Sequence, residues 1–186
     1  MPFKANSRTE LKDAVNGWTA NPPTITASTQ VPSAANSTTG SATDTYGQMN
    51  LWDVSAVTNM SSLFRGNSNF NEDIGDWNVN NVFNMDQMFQ GATSFNRDLS
   101  GWGVEKVTSM ISMFSGASAF NNGDAAGVTS NTLNWDVSNA NNLGSMFSYT
   151  QFNQNISGWC VPSISAEPFE FSRNAPLSNE NKPVWG

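Results

Sequence analysis

The sequence predicts an α/β repeat fold: a short solenoid of about four to five turns, with parallel short strands, short helices, a helical N-terminal cap and an irregular C-terminal cap. Three observations predict it. A sentence of about 25 residues stands twice in tandem, as WDVSAVTNMSSLFRGNSNFNEDIGD from Trp52 and WNVNNVFNMDQMFQGATSFNRDLSG from Trp77 to Gly101. Further copies open at Trp102 and Trp135, and a degenerate one at Trp159. Inside each copy the apolar residues pass from two-residue alternation to helical spacing.

Residues 1–18 read as the N-terminal cap. Ser7-Arg8-Thr9-Glu10 resembles a capping box. Leu11, Ala14, Val15 and Trp18 then follow on one helical face, so a helix is expected from about Arg8 to Trp18, closing the open end of the array. Asn21-Pro22-Pro23 stops it, and residues 19–45 read as a long Thr/Ser-rich loop with too little apolar surface to pack. Thr24 to Val31 leave room for a small hairpin. Asn36-Ser37-Thr38 matches a glycosylation acceptor, a short motif that arises easily by chance in such a composition.

The repeats fill residues 46–158. Trp52, Trp77, Trp102, Trp135 and Trp159 open the copies, and a valine follows two residues later each time. Val57, Met60 and Phe64 then fall at i, i+3, i+7, and so do Val82, Met85 and Phe89. Each copy therefore reads as strand, turn, short helix or 3₁₀ segment, and a return through Gly66, Gly91 or Gly116. The period lies in the leucine-rich-repeat range, and like residues would ladder about 4.8 Å apart. Trp77, Trp102, Met85, Phe89 and Phe95 are assigned to the core. Asn71, Asn96, Asn121 and Asn153 each follow a phenylalanine and are expected to bond backbone at the turn and the neighbouring asparagine; a ligand-binding ladder is the alternative.

The third copy carries an insertion between Phe120 and Trp135, about eight residues longer than its equivalents. Insertions of this kind map to loops on one face of an array, often the binding face. Asn122, Asp124, Thr129 and Asn131 are accordingly the candidate ligand- or partner-binding residues. Asn122, Asp124 and Asn131 offer oxygens a calcium ion could use, but in no recognised loop spacing, so no metal is assigned. From residue 159 to 186 the pattern decays; Pro162, Pro168 and Pro176 break it, and the segment reads as the C-terminal cap. The whole chain, residues 1–186, is read as one domain.

Composition narrows the function. The net charge is −7 with no histidine, which argues against a nucleic-acid partner and removes the commonest general base and metal ligand. Cys160 stands alone, so no intrachain disulfide is expected, and it reads as a buried apolar thiol. No stretch approaches the ~18 apolar residues of a membrane span, and no signal peptide opens the chain. Asp73, Asp76 and Asp98 would come close on stacking, but later copies do not keep them, so no enzyme and no cofactor are expected. An ice-binding face needs a regular threonine array, which the column Thr58, Phe83, Thr108, Asn141 interrupts.

The W-D-V-S-x-V-T-x-M-S-x-(L/M)-F-x-G-(A/N)-x-x-F-N pattern resembles the BspA-like leucine-rich-repeat family of surface proteins. The flanking SRTELKDAVNGW and FSRNAPLSNENKPVWG also look like that family's segments. The resemblance implies a leucine-rich-repeat-like solenoid in an extracellular, cell-surface or virion-surface setting, and implies no catalytic residues. The expected function is a recognition or adhesion module binding a glycan or surface protein through the solenoid face and loops. The alternative is a structural protein, such as a virion decoration or appendage component.

Overall fold

The computed structural model describes residues 2–20 and 46–186. Helix α1 spans Arg8–Ala20, two residues past the expected end. The Ser7 hydroxyl accepts the Glu10 backbone N–H at 3.2 Å, and the Glu10 carboxylate accepts that of Asn6 at 2.7 Å. This is capping-box chemistry with the return bond moved back one residue. Leu11, Ala14, Val15 and Trp18 join the buried core. The expected hairpin, glycosylation acceptor and loop threonines of residues 21–45 lie outside the described residues.

The α/β repeat is not what forms. Among the described residues there is no sheet; neighbouring copies share single parallel bridges, Asn59 with Asn84, Asn84 with Ser109 and Ser109 with Asn142. Besides α1, short 3₁₀ turns stand at Met49–Leu51 and Asn179–Asn181, neither where the repeat's helix was expected. The expectation of a solenoid of parallel strands plus short helices is therefore corrected to a stack of irregular, turn-built coils.

The reason lies in where the backbone hydrogen bonds go. At the expected strand, Trp77 and Val79 are indeed buried, but the Trp77 N–H turns back to Ile74 O at 3.1 Å and the Val82 N–H to Val79 O at 2.9 Å. The Asn78 side chain also captures the Asn80 N–H at 3.2 Å, a local bond that competes with a ladder. At the expected helix, the N–H groups of Ser62, Phe64 and Gly66 do not reach back along the chain. They donate to Asp86, Met88 and Gln90 carbonyls of the next copy, each at 2.8 Å. The residues between them close three-residue turns, Leu63 N–H to Met60 O and Arg65 N–H to Ser62 O. Ser62, Gln87, Ser112 and Ser145 all sit at φ between 52° and 57°, which a helix cannot accommodate.

Three columns of such bonds run through all four junctions of the stack, and a fourth, from Met60, Met85 and Met110, through the first three. Gln87, Phe89 and Gly91 donate to Ile111, Met113 and Ser115; Ser112, Phe114 and Gly116 donate to Gly144, Met146 and Ser148. Ser145, Phe147 and Tyr149 donate in turn to Phe169, Phe171 and Arg173. The C-terminal segment thus repeats the coil, with Glu170 at φ 52° and Asn174 at φ 56° in the positions of Ser145 and Tyr149. At the other end, α1 covers the first copy's carbonyls. The Arg8 guanidinium donates to Ser61 O at 2.6 Å, and the Lys12 ammonium to Leu63 O at 2.5 Å and Ser62 O at 3.1 Å. Burial, and then the nearby Arg8 charge, lower the Lys12 pKa.

Side chains reinforce the stacking. Phe64, Phe89, Phe114 and Phe147 follow one another at 5.4, 5.4 and 5.7 Å between ring centroids, with planes within 8°. Phe70, Phe95, Phe120 and Phe152 form a second file at 5.5, 5.9 and 5.9 Å. Within a copy the two files touch, as Phe89 and Phe95 do at 4.0 Å. Each tryptophan that opens a repeat buries its ring and finds a partner for its indole N–H, the usual requirement of a buried indole. Trp77 donates to Met49 O at 2.8 Å, Trp102 to Ile74 O at 3.0 Å, Trp135 to Leu99 O at 2.9 Å and Trp159 to Leu133 O at 2.7 Å. Every one of these acceptors lies two or three residues before the tryptophan that opens the preceding copy.

Candidate functional site

The insertion between Phe120 and Trp135 is held from inside by side chains of neighbouring copies. Its base begins with the asparagine file. The Asn71 Oδ1 accepts the Asn96 N–H at 2.9 Å, the Asn96 Oδ1 accepts that of Asn121 at 2.8 Å, and the Asn121 Oδ1 accepts that of Asn153 at 3.1 Å. Asn96 does more than continue the file. Its Oδ1 also accepts the Gly123 N–H at 2.9 Å, and its Nδ2 donates to Asp124 O at 2.9 Å. Asn121 turns its own Nδ2 into the loop, to Ala125 O and Val128 O at 2.9 and 2.8 Å.

Of the four candidate residues, three are brought together. Asn122 is buried, accepts the Leu99 N–H at 2.9 Å and donates to Ser100 Oγ and Asn131 O at 2.9 and 3.0 Å. Asn131 returns a bond to Asn122 O at 3.1 Å. The Asp124 carboxylate accepts the Ser130 N–H at 2.6 Å, the Ser130 hydroxyl at 2.7 Å and the Asn131 N–H at 2.9 Å. The Ser130 hydroxyl and the Asn131 N–H hold its pKa below the ordinary carboxylate value, against the opposing effect of burial. Thr129 stands apart, exposed at the tip together with residues 125–128 and 130. Gly123 sits at φ 87°, and a side chain there would meet the Asp98 backbone nitrogen at 3.1 Å, so glycine is required at this corner.

Sequence reasoning missed Gln154. It is fully buried, and its Nε2 lies 3.1 Å from Asn121 O, Asp124 Oδ2 and Val128 O, tying the fourth copy to the insertion. The signal was available: copies one and two carry Glu72 and Arg97 after the Phe-Asn pair, and the copy facing the insertion replaces the charge with a neutral amide. Cys160 is exposed, which corrects its reading as a buried thiol. Asp73 and Asp98 are engaged locally, accepting the Gly75 and Ser100 N–H groups at 3.1 and 2.9 Å. Among the described residues no group of three or more acidic or cysteine side chains is placed to hold a metal ion.

The model of the family described as Mycoplasma protein of unknown function, DUF285, matches residues 33–132 and 122–185. The chain belongs to this family. The DUF285 match takes in the repeats, the insertion and the C-terminal coil, and it is related to the family that the repeat pattern resembles. No match was found among curated proteins or solved structures.

Proposed function

We propose that this DUF285 chain is a BspA-like, non-catalytic recognition module, and that it meets a surface protein or glycan with the tip of its insertion. The observation that supports this is the division of labour in that loop. Asn96, Asn122, Asp124 and Gln154 anchor its base with bonds to buried or half-buried groups, while Val128 and Thr129 stand in solvent at its tip. A loop fixed at its base loses little conformational freedom on binding, so its contacts translate more fully into affinity. An extracellular or other surface setting belongs to the same proposal. No helix among the described residues is long and apolar enough to cross a membrane.

The test is a glycan array together with a binding assay on intact cells, using folded protein and a Val128→Ser, Thr129→Ala double variant. Binding by the parent protein and its loss in the variant, at unchanged melting temperature, is the expected result. Blank results in both assays with folded protein, or equal binding by the variant, would sink the proposal.

A further inference from the structure

The two ends of the stack are finished differently. In the three columns of inter-copy bonds, N–H groups always point toward the C-terminal end and carbonyls toward the N-terminal end. The exposed carbonyls of the first copy are covered by Arg8 and Lys12 of α1. The last coil has no such cover among the described residues. Glu170, Ser172 and Asn174 succeed Ser145, Phe147 and Tyr149 in the three columns, and the backbone N–H of each has no acceptor among the described residues. Beside them lies an open hollow of about 400 Å³ lined by Glu167 to Arg173 and Lys182. Phe169 stands 80% exposed at its rim.

We propose that this end is a docking edge for an extended segment of a partner protein, which supplies alternate backbone carbonyls to the N–H groups of Glu170, Ser172 and Asn174. The stack itself shows the chemistry of the occupant. In four successive junctions the same three donors reach one kind of acceptor, carbonyls two residues apart on a neighbouring stretch of polypeptide, at 2.7–3.0 Å. An unpaired row of backbone groups is a template for such addition: main-chain bonds give the affinity and neighbouring side chains the selectivity. Charge points the same way. Arg173 is paired with Glu170, and Lys182 with Glu167 at 2.7 Å, so the cations at this end are neutralised and the donors face a neutral acceptor rather than a free anion. A second copy of the chain does not fit, because its matching carbonyls lie under its own α1. Phe169 gives the segment an apolar contact.

This inference goes beyond the insertion-loop proposal and is read from different amides, so either can fail alone. Short random peptides displayed on phage are panned on the folded protein, and those selected are synthesised and titrated into isotope-labelled protein. Bound peptide is expected to slow amide exchange at Glu170, Ser172 and Asn174 by about tenfold or more, leaving Val128 and Thr129 unchanged. Phe169→Ser is expected to weaken the same peptides about fivefold or more at an unchanged melting temperature. The proposal is overturned if no selected peptide protects these three amides, if acetate or inorganic phosphate alone protects them, or if sedimentation shows them covered by a second copy.

Discussion

Asn96 links the repeat to the insertion, and replacing it with alanine separates the two. Its side chain makes three bonds: to the N–H groups of Asn121 and Gly123, and to the carbonyl of Asp124. The Asn121 N–H belongs to a fully buried residue, so orphaning it costs about 1–3 kcal/mol. Gly123 is exposed, and water can replace its acceptor at little cost. The bond to Asp124 O adds about 1 kcal/mol as an ordinary neutral pair. Asn96→Ala should therefore lose about 2–4 kcal/mol. Asn71→Ala is the internal control. Its side chain satisfies one half-buried N–H, that of Asn96, so about 1 kcal/mol is at stake. Urea unfolding of both variants measures the difference, provided the slope with denaturant is unchanged. Amide exchange gives a local readout: Gly123 and Asn131 should exchange faster in Asn96→Ala and not in Asn71→Ala. Equal losses in the two variants, or an insertion that exchanges as before, would refute the assignment of Asn96 as the loop's anchor.

Phe89→Ala removes a ring stacked at 5.4 Å on both Phe64 and Phe114, and should cost about 3–5 kcal/mol in the same assay; a variant that melts like the parent protein would contradict the stacked core. Trp102→Phe keeps a buried aromatic ring, though a smaller one, and strips the N–H from Ile74 O, and a loss of at least about 1–3 kcal/mol is expected, with a smaller loss implying that water reaches the carbonyl. The Asp53 carboxyl is held down to about 2 from 3.8, first by the Ser55 hydroxyl, then by the Ser55 N–H and by Lys4. Because the folded value is depressed, its stabilising contribution is complete above 3.8 and is lost as pH falls toward about 2. An NMR titration of Asp53 with its midpoint near the ordinary carboxylate value would remove that contribution, and Asp53→Asn should flatten the acid limb of the stability curve.

The composition of the core was legible in the sequence because like residues recur at one position in every copy. Stacking then puts Phe on Phe, Trp on Trp and Asn on Asn, whatever path the backbone takes between them. The path itself was not legible. Trp77 and Val79 both face inward, as a strand would place them, yet the peptide groups around them are spent on turns and on the Asn78 side chain. Val82, Met85 and Phe89 keep helical spacing, but three-residue turns with intervening left-handed residues bury the same positions. Nothing in the identity of Ser62 or Gln87 announces a positive φ, as a glycine would. The insertion's position was visible from the length of the third copy. Its anchoring was not, since Gln154 and Asn96 lie outside it in the chain and meet it only through stacking. The fifth coil was legible only at its opening Trp159, because Glu170 and Asn174 take up backbone positions that the earlier copies fill with serine, glutamine, glycine or tyrosine.

The tryptophan N–H groups reach backward by one copy, and the three backbone columns reach forward by one. In these bonds every interior copy presents the same donors and acceptors at both of its boundaries, and only the third copy adds those of its insertion, to Asn96 and Gln154. A whole unit can be duplicated or deleted between Trp52 and Trp102 and the new junction closes with the same backbone bonds as the old. Array length is therefore a quantity that unequal recombination could alter without inventing new interior chemistry. The α1 segment and the final coil have no such freedom, since each completes a boundary that occurs once.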